Sequence, residues 1–403
     1  MTDLDTAPRT RVRVPHDDLL GFTAAVFAAH GATRARARTA AEALCHGDIT
    51  GTTSHGLVNL TRIYLPLLAS GRGSAETEPR VLADRGASVL LDGRGALGLW
   101  LAAEAMDLAA GRAAEHGIGL VSVRGGTHFG CAGFHALRAV ARGMIGVVAS
   151  NCGHQRIARP PGGLVPMLGT NPLSVAAPAG EHPPFVLDMS TTAVPTGKVR
   201  AAARAGRDIP AGWLADDRGA PVTDPTRFDR GEAHLTWLGA PGSGEYKGFG
   251  LGLMVEVLAA LVPGSGLGPS PAALTGTRPA GGTGRHASRA ADASGVPGDG
   301  NACGATANLA RRSADDDIGY LVLAVAPAAL RDPDSYHYDA GALFGSLLGC
   351  PPVEPGGTVA YPGVPEARHA EEARRYGVPL SAALHAELGA VADRLNLRLP
   401  GAC

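Results

Sequence analysis

The stretch Thr127-His128-Phe129-Gly130 places a histidine in a glycine-bearing turn. It follows an apolar run, Gly119 to Val123, that predicts a strand, and precedes a segment from Gly133 that predicts a helix. Turns at strand ends are where α/β proteins expose reactive side chains, and imidazole is the side chain that exchanges protons near neutrality unaided. A lone histidine in a turn is more often structural, so its neighbours in the fold decide its meaning. Three further positions carry comparable chemistry. Ser54-His55 opens a predicted helix, where His55 is either a cap neighbour, a buried hydrogen-bonded histidine or a group facing a substrate. Asp188 closes a predicted strand; it could orient an imidazole, bond a ribose hydroxyl or cap the following turn. Lys247 lies between Tyr246 and Gly248-Phe249-Gly250, at the start of an apolar helix. A cation there opposes the positive helix end, so it is either a solvated lysine or the partner of an anion such as phosphate.

The elements that must hold these residues follow from hydrophobic spacing. Leu19 to His30 predicts a helix capped by Asp17 or Asp18, a second begins near Thr33 or Thr39, and a third runs from Ser54 through Leu57, Leu60, Ile63, Tyr64 and Leu67. From Ala87 the rhythm changes to short apolar runs bounded by Gly, Pro, Asn or Asp. Ser88 to Leu91, Gly119 to Val123, Ile145 to Ser150, Leu173 to Ala177, Phe185 to Asp188 and Ile318 to Val325 predict strands. Ala102 to His116 and Gly133 to Arg142 predict helices between them, Gly248 to Val262 an apolar core helix, and the chain from about Ala340 turns helical again. Residues 264–317 are dense in Gly, Ala, Pro, Ser and Thr and read as an irregular insertion, with Asp315-Asp316-Asp317 at its end as a solvated charge run or the lining of a site.

Composition sets limits. With 403 residues, 45% hydrophobic content and a net charge of −1, the chain can bury a full core and has no electrostatic reason to bind nucleic acid or an anionic membrane. No apolar stretch reaches spanning length and no signal-like run follows Arg9, Arg11 and Arg13, so a cytoplasmic protein is expected. The six cysteines are scattered without a CxxC pair, which argues against a disulfide framework or a metal site, Cys152-Gly153-His154 included. Gly93-Arg94-Gly95-Ala96-Leu97-Gly98 matches GxGxxG between a strand and a helix. Asp92 immediately before it would repel a pyrophosphate, and the next strand ends at Arg124 where NAD would require an acid, so a Rossmann site is not expected.

Taken in order, Ser54-His55-Gly56, the His128 turn, Ser150-Asn151, Gly169-Thr170-Asn171-Pro172, Asp188-Met189-Ser190 with Gly197-Lys198, Gly212-Trp213 and Tyr246-Lys247-Gly248-Phe249-Gly250 resemble the second, non-Rossmann family of malate and L-lactate dehydrogenases. That family includes ureidoglycolate and sulfolactate dehydrogenases, diketogulonate reductase and Δ1-piperideine-2-carboxylate reductase; the turn Tyr361-Pro362-Gly363 fits it as well. The resemblance runs from about Leu19 to Leu395, broken mainly by the insertion. It implies an α/β (α+β) fold of the malate/L-sulfolactate dehydrogenase type: a largely antiparallel sheet domain over residues 76–335 binding NAD or NADP, a helical domain from residues 1–75 and 336–403, and a homodimer. Carried over residue by residue, it makes His128 the proton donor and acceptor. Ser150, Asp188, Met189, Ser190 and Lys247 become cofactor contacts, and Ser54 and His55 face the substrate.

One departure bears on the substrate. Relatives acting on 2-oxo acids commonly carry arginine where this chain has Asn59, four residues after His55, and another where it has Thr50. Guanidinium holds a carboxylate in two bonds, so losing both points away from simple malate or lactate, unless Arg62 on the next turn faces inward. The expected activity is hydride transfer between nicotinamide and a 2-hydroxy/2-oxo acid-like or cyclic imine substrate. The alternatives are a dimeric binding protein that has lost catalysis and, more remote, a hydrolase. The second lacks a GxSxG elbow, and Ser54 and His55 as helix neighbours should point apart.

Overall fold

The computed structural model describes residues 11–239, 244–270, 274 and 317–401. The chain enters through strand β1 (Arg11–Val14) and two packed helices, α1 (His16–Ala29) and α2 (Arg34–Ile49). Asp17 and Asp18 sit inside the first turn of α1 rather than capping it, where their charges meet the positive helix end, whereas Thr33 does cap α2 by accepting from Arg36 N. The third helix expected from Ser54 is broken: a 3₁₀ turn (Thr53–His55) and a π-helical turn (Leu60–Tyr64) precede the short α3 (Leu65–Ala69).

Strands β2 (Arg80–Asp84) and β3 (Ser88–Asp92), helix α4 (Gly98–His116), β4 (Ile118–Gly126), α5 (Ala132–Val140), β5 (Ile145–Ser150), β6 (Leu173–Ala177) and β7 (Phe185–Met189) follow. Beyond them lie α6 (Thr196–Arg204), a small three-stranded sheet of β8 (Leu214–Ala215), β9 (Pro221–Val222) and β10 (His234–Leu235) with α7 (Thr226–Asp229) inside it, and α8 (Glu245–Glu256), continued by a second π-helical turn (Val257–Leu261). The chain closes with β11 (Ile318–Val325), α9 (Pro333–Leu348), α10 (Val364–Tyr376), β12 (Val378–Ser381) and α11 (Ala382–Leu395). β12 pairs antiparallel with β1 and so ties the two ends of the chain together.

The main sheet runs β2-β3-β4-β11-β5-β6-β7 and is antiparallel except between β3 and β4, the pair that α4 bridges. Alternation along β11 separates its two faces: Tyr320, Val322 and Ala324 join the large core with α4, while Leu321 packs with Val255 and Ala259 of α8 and its π-helical extension. The sheet therefore has helices on both sides. Close approach is bought with glycine: a Cβ on Gly119, Gly146 or Gly319 would collide with the backbone carbonyl of Ala109, Ala136 or Ala259 respectively. The helix expected over Gly248 to Val262 is not wholly core, since Leu253, Met254, Val257, Leu261 and Val262 are exposed in the single chain.

Nearly all of the expected insertion lies outside the described residues, Asp315 and Asp316 included. Its two described ends meet, Gly266 N donating to Asp317 O at 3.0 Å and the Ser265 hydroxyl to the same carbonyl at 2.6 Å. Among the described residues no helix is long and apolar enough to cross a membrane.

The glycine contacts can be tested. Alanine at position 119 would gain about 0.5–1 kcal/mol from restricting the unfolded chain, but overpacking against α4 costs about 1–3 kcal/mol. Gly119→Ala should therefore lower the urea midpoint; an unchanged or raised midpoint would show that α4 does not press on β4 there.

Candidate active site

His128 sits on a turn bound on every side. The Thr127 hydroxyl accepts from Gly98 N at 2.8 Å, filling the N-terminus of α4, and donates to Ala96 O at 3.2 Å. Tyr320 Oη donates to Thr127 O, and His135 Nε2 lies 2.9 Å from Phe129 O, close enough to donate. Gly130 takes a left-handed φ of 82°. A side chain on Gly98 would strike the carbonyls of Thr127 and His128. The GxGxxG stretch thus serves the histidine turn instead of a dinucleotide, and Asp92 is occupied by Arg94 N and by Arg124, whose Nη2 is 3.2 Å away.

The imidazole Nδ1 lies 2.7 Å from Tyr64 Oη, with Gly130 N 3.3 Å away and directed at it. Among the described residues Nε2 has no partner, and it is not sealed from solvent. The His55 ring stacks alongside, 6.1 Å between centroids and 14° between planes. Desolvation, then the neighbouring His55, pushes His128 down to about 3, and burial lowers His55 too, so both rings are neutral at pH 7.

His55 rides on a loop built against α2. The Asp48 carboxylate, 5% exposed, accepts from Leu57 N at 2.6 Å, and a Cβ on Gly56 would fall into it. Gly47 gives the same clearance to the His55 carbonyl carbon and Gly56 N. Burial lifts the Asp48 carboxyl to about 7 against the pull of the Leu57 hydrogen bond. On the other side Gly197, at the start of α6, lies against Ser54 Cβ. Ser54 and His55 do not point apart as expected: the 3₁₀ turn brings Ser54 Oγ to 3.1 Å from His55 Nδ1. Asn59 is buried and its amide donates to Ser54 O at 2.9 Å; the Thr50 hydroxyl donates to His46 O at 2.7 Å. Arg62 is exposed and does not turn inward to replace the missing guanidinium groups.

The Asp188 carboxylate does not reach His128. It accepts from Gly133 N at 2.7 Å, capping α5, while desolvation on that side lifts it to about 6 and its outer face stays open. The Tyr361-Pro362-Gly363 turn seals the edge of β7 beside it, Val186 N donating to Pro362 O at 2.9 Å. Met189 pairs with Leu173 across the sheet, and the Ser190 hydroxyl donates to Thr192 O at 3.1 Å. Ser150 is buried and spends its proton on Asn151 O. Lys247 is exposed on the first turn of α8, its Nζ 5.8 Å from the Tyr246 ring centroid. Asn151 and Asn171 belong to a buried knot around Glu256, with Asn171 Nδ2 2.8 Å from Glu256 Oε2 and Gly268 N donating to Oε1 at 2.7 Å. No cluster of metal-binding side chains occurs among the described residues.

Sequence reasoning missed Tyr64, Asp48 and His135. Tyr64 counted as one more apolar-face residue; its hydroxyl among Leu57, Leu60 and Leu67 was the available signal. Asp48, a carboxylate among Ala43, Leu44, Cys45 and Ile49, was another.

Comparison with known proteins identifies the family. The family model described as malate/L-lactate dehydrogenase matches residues 14–295. The malate dehydrogenase of Pyrococcus horikoshii is 37% identical over 255 residues, 63% of this chain and 69% of that protein. The Delta(1)-pyrroline-2-carboxylate/Delta(1)-piperideine-2-carboxylate reductase of Pseudomonas putida is 33% identical over 261 residues, 64% of this chain and 74% of that protein. The crystal structure of malate dehydrogenase from Entamoeba histolytica superposes with a TM-score of 0.82 over 97% of this chain and 100% of that one; at 23% identity it speaks for the fold.

Gly56→Ala tests the seating of His55. Because misplacing a reacting group by about 1 Å can cost about 10²-fold in rate, the variant should lose at least about 10-fold in kcat while its circular dichroism spectrum stays unchanged. Full activity would show that the Asp48 contact does not set the position of His55.

Proposed function

The chain belongs to the malate/L-lactate dehydrogenase family, and from that premise we propose that it interconverts a 2-oxo acid-like or cyclic imine substrate with its reduced form, using His128 to move the proton. Family membership makes it an NAD(P)-dependent oxidoreductase. The observation that carries the role of His128 is an imidazole with one nitrogen engaged by Tyr64 and the other unpartnered and reachable.

The residues present fit a nicotinamide dinucleotide. Asp188 offers an open carboxylate face to ribose hydroxyls, and Lys247 offers a solvent-facing ammonium to phosphate. When bound, NAD(P) supplies the hydride to, or takes it from, the substrate carbon. His128 then serves the neighbouring oxygen or nitrogen: in reduction the electron pair left on that atom takes a proton from Nε2, and in oxidation Nε2 takes it back. Ser54 and His55 line the same side and give hydrogen bonds that orient the substrate. An anionic substrate beside His128 raises its proton affinity, so the charge the free site lacks comes in with the ligand.

The substrate is proposed to differ from small dicarboxylates. Asn59 and Thr50, at the positions of the missing arginines, spend their polar groups on backbone carbonyls, and neither carries a charge. A ring nitrogen, hydroxyl or amide suits such a site better than a second carboxylate. A cyclic imine, the class of substrate named for the Pseudomonas putida reductase, would suit it. The working unit is proposed to be a homodimer, with the exposed apolar residues of α8 and its extension as the surface a second copy covers. The free thiols of Cys45, Cys131, Cys152 and Cys350 suit a reducing, cytoplasmic setting.

Mixing the protein with NADH or NADPH should shift or quench nicotinamide fluorescence, and a panel of 2-oxo acids and cyclic imines should show turnover; a catalytically dead binding protein would give neither. His128→Asn should cut kcat by about 10²- to 10⁴-fold with little change in cofactor affinity. Turnover within about threefold of wild type would assign the proton to another group. Lys247→Ala should raise the cofactor Kd, by less as salt increases. A Kd that is unchanged at low salt would leave Lys247 without a part in binding.

A further inference from the structure

Tyr64 has no part in the resemblance that identifies the family, yet it is fully buried against the catalytic histidine. It ends the π-helical turn Leu60–Tyr64, a winding that recurs at functional sites because it rotates one side chain out of helical register. The same segment begins with Ser54 and His55, so one stretch of chain brings both His55 and Tyr64 to the His128 ring, at centroid separations of 6.1 and 5.7 Å. Phe27 meets the Tyr64 ring edge-on at 6.4 Å and holds it in place.

We propose that Tyr64 is the positioning residue that assigns the two nitrogens of His128, its hydroxyl staying on Nδ1 through the cycle and reserving Nε2 for the proton that the substrate gains or loses. The geometry supports this on two counts. Gly130 N can only donate, so its approach to Nδ1 marks that nitrogen as bare in the resting enzyme and makes Tyr64 Oη the second donor. Secondly, a phenol both donates and accepts. Uptake of one proton from water makes His128 the imidazolium, in which Nδ1–H donates to Tyr64 Oη; after Nε2–H has gone to substrate the ring is neutral with its proton on Nδ1, the form that accepts the substrate proton in oxidation, and proton exchange with water restores the resting form. Tyr64 itself neither gains nor loses a proton overall, as its burial requires: the phenolate is strongly disfavoured there. Asp188, the carboxylate the sequence suggested for this role, is bound to α5 instead.

The inference rests on His128 being the proton-transfer group, and its test separates the two. Nitrogen-15 spectra of histidine-labelled enzyme, with His128→Asn used to assign the signals, should show the His128 proton on Nε2 at neutral pH. Tyr64→Phe keeps the ring against Phe27 and removes only the hydroxyl. It should yield mixed tautomers, a kcat reduced by about 10- to 10²-fold and a KM within about twofold of wild type. A resting His128 protonated on Nδ1, or a Tyr64→Phe enzyme with the wild-type tautomer and wild-type kcat, would overturn the proposal. Because the wild-type spectrum, assigned with His128→Asn, needs neither turnover nor the Tyr64→Phe variant, it decides the nitrogen assignment independently of both. Failure to turn over any substrate would count only against the proton-transfer role.

Discussion

The site depends on how the His128 turn is docked onto the N-terminus of α4. A helix begins with backbone N–H groups that have no partner in the helix, and these must be satisfied by a cap, water or a ligand. Here the Thr127 hydroxyl meets Gly98 N, and the absence of a side chain on Gly98 lets the carbonyls of Thr127 and His128 lie directly over it. The dinucleotide-binding motif that this stretch imitates leaves the same groups for a pyrophosphate. In this chain the local architecture is the same, a parallel β3–β4 pair bridged by α4, but the helix end is spent on holding the His128 turn. The residues proposed above for the cofactor lie elsewhere, Asp188 on β7 and Lys247 on α8.

Seating the histidine so firmly has an electrostatic consequence. His128 and His55 are both held neutral, and Asp48 is lifted to about 7, so the protein places little fixed charge around the reacting atoms. Burying an unpaired charge costs more than the hydrogen bonds of this site return. The chain lowers that cost by holding the two imidazoles neutral and raising the Asp48 carboxyl. Polar groups are instead tied to backbone: Asp48 to Leu57 N, Asn59 to Ser54 O, Thr50 to His46 O, Asp188 to Gly133 N. Such bonds fix positions, and the pKa of the neutral His128 ring stays responsive to any charge that binds beside it.

Much of this was legible in the sequence. The strands over Ile145 to Ser150, Leu173 to Ala177 and Ile318 to Val325 match residue for residue, because short β-branched runs between Gly, Pro and Asn have little alternative. The ordered motifs gave the family, which the matching family model bears out. What could not be read was the winding of residues 53–69. A periodic apolar face predicts an α-helix, but the 3₁₀ turn at Ser54 is packed against Asp48 and Gly47 of α2, contacts between segments rather than within one, and a π-helical turn follows it at Leu60–Tyr64. The relation of Ser54 to His55, the role of Tyr64 and the outward direction of Arg62 all follow from that winding. Asn151 and Asn171 illustrate the converse: both belong to recognised motifs, yet in the fold they are scaffold around Glu256.

The same winding explains why the change at position 59 alters more than one charge. Asn59 stands just before the π-helical turn and its amide holds the carbonyl of Ser54, so it helps shape the loop that carries Ser54 and His55. An arginine in its place would offer a carboxylate two charge-assisted bonds, typically worth about 1.5–3 kcal/mol, but would give up the amide contact that closes the loop. The two arrangements are therefore different solutions, one in which a guanidinium recognises the substrate and one in which the loop is braced from within. With Arg62 facing solvent, the polar groups on the braced loop beside His128 are the neutral donors and acceptors of Ser54 and His55. Groups of that kind act through hydrogen-bond geometry, and among the described residues the site they form carries no fixed cation of its own.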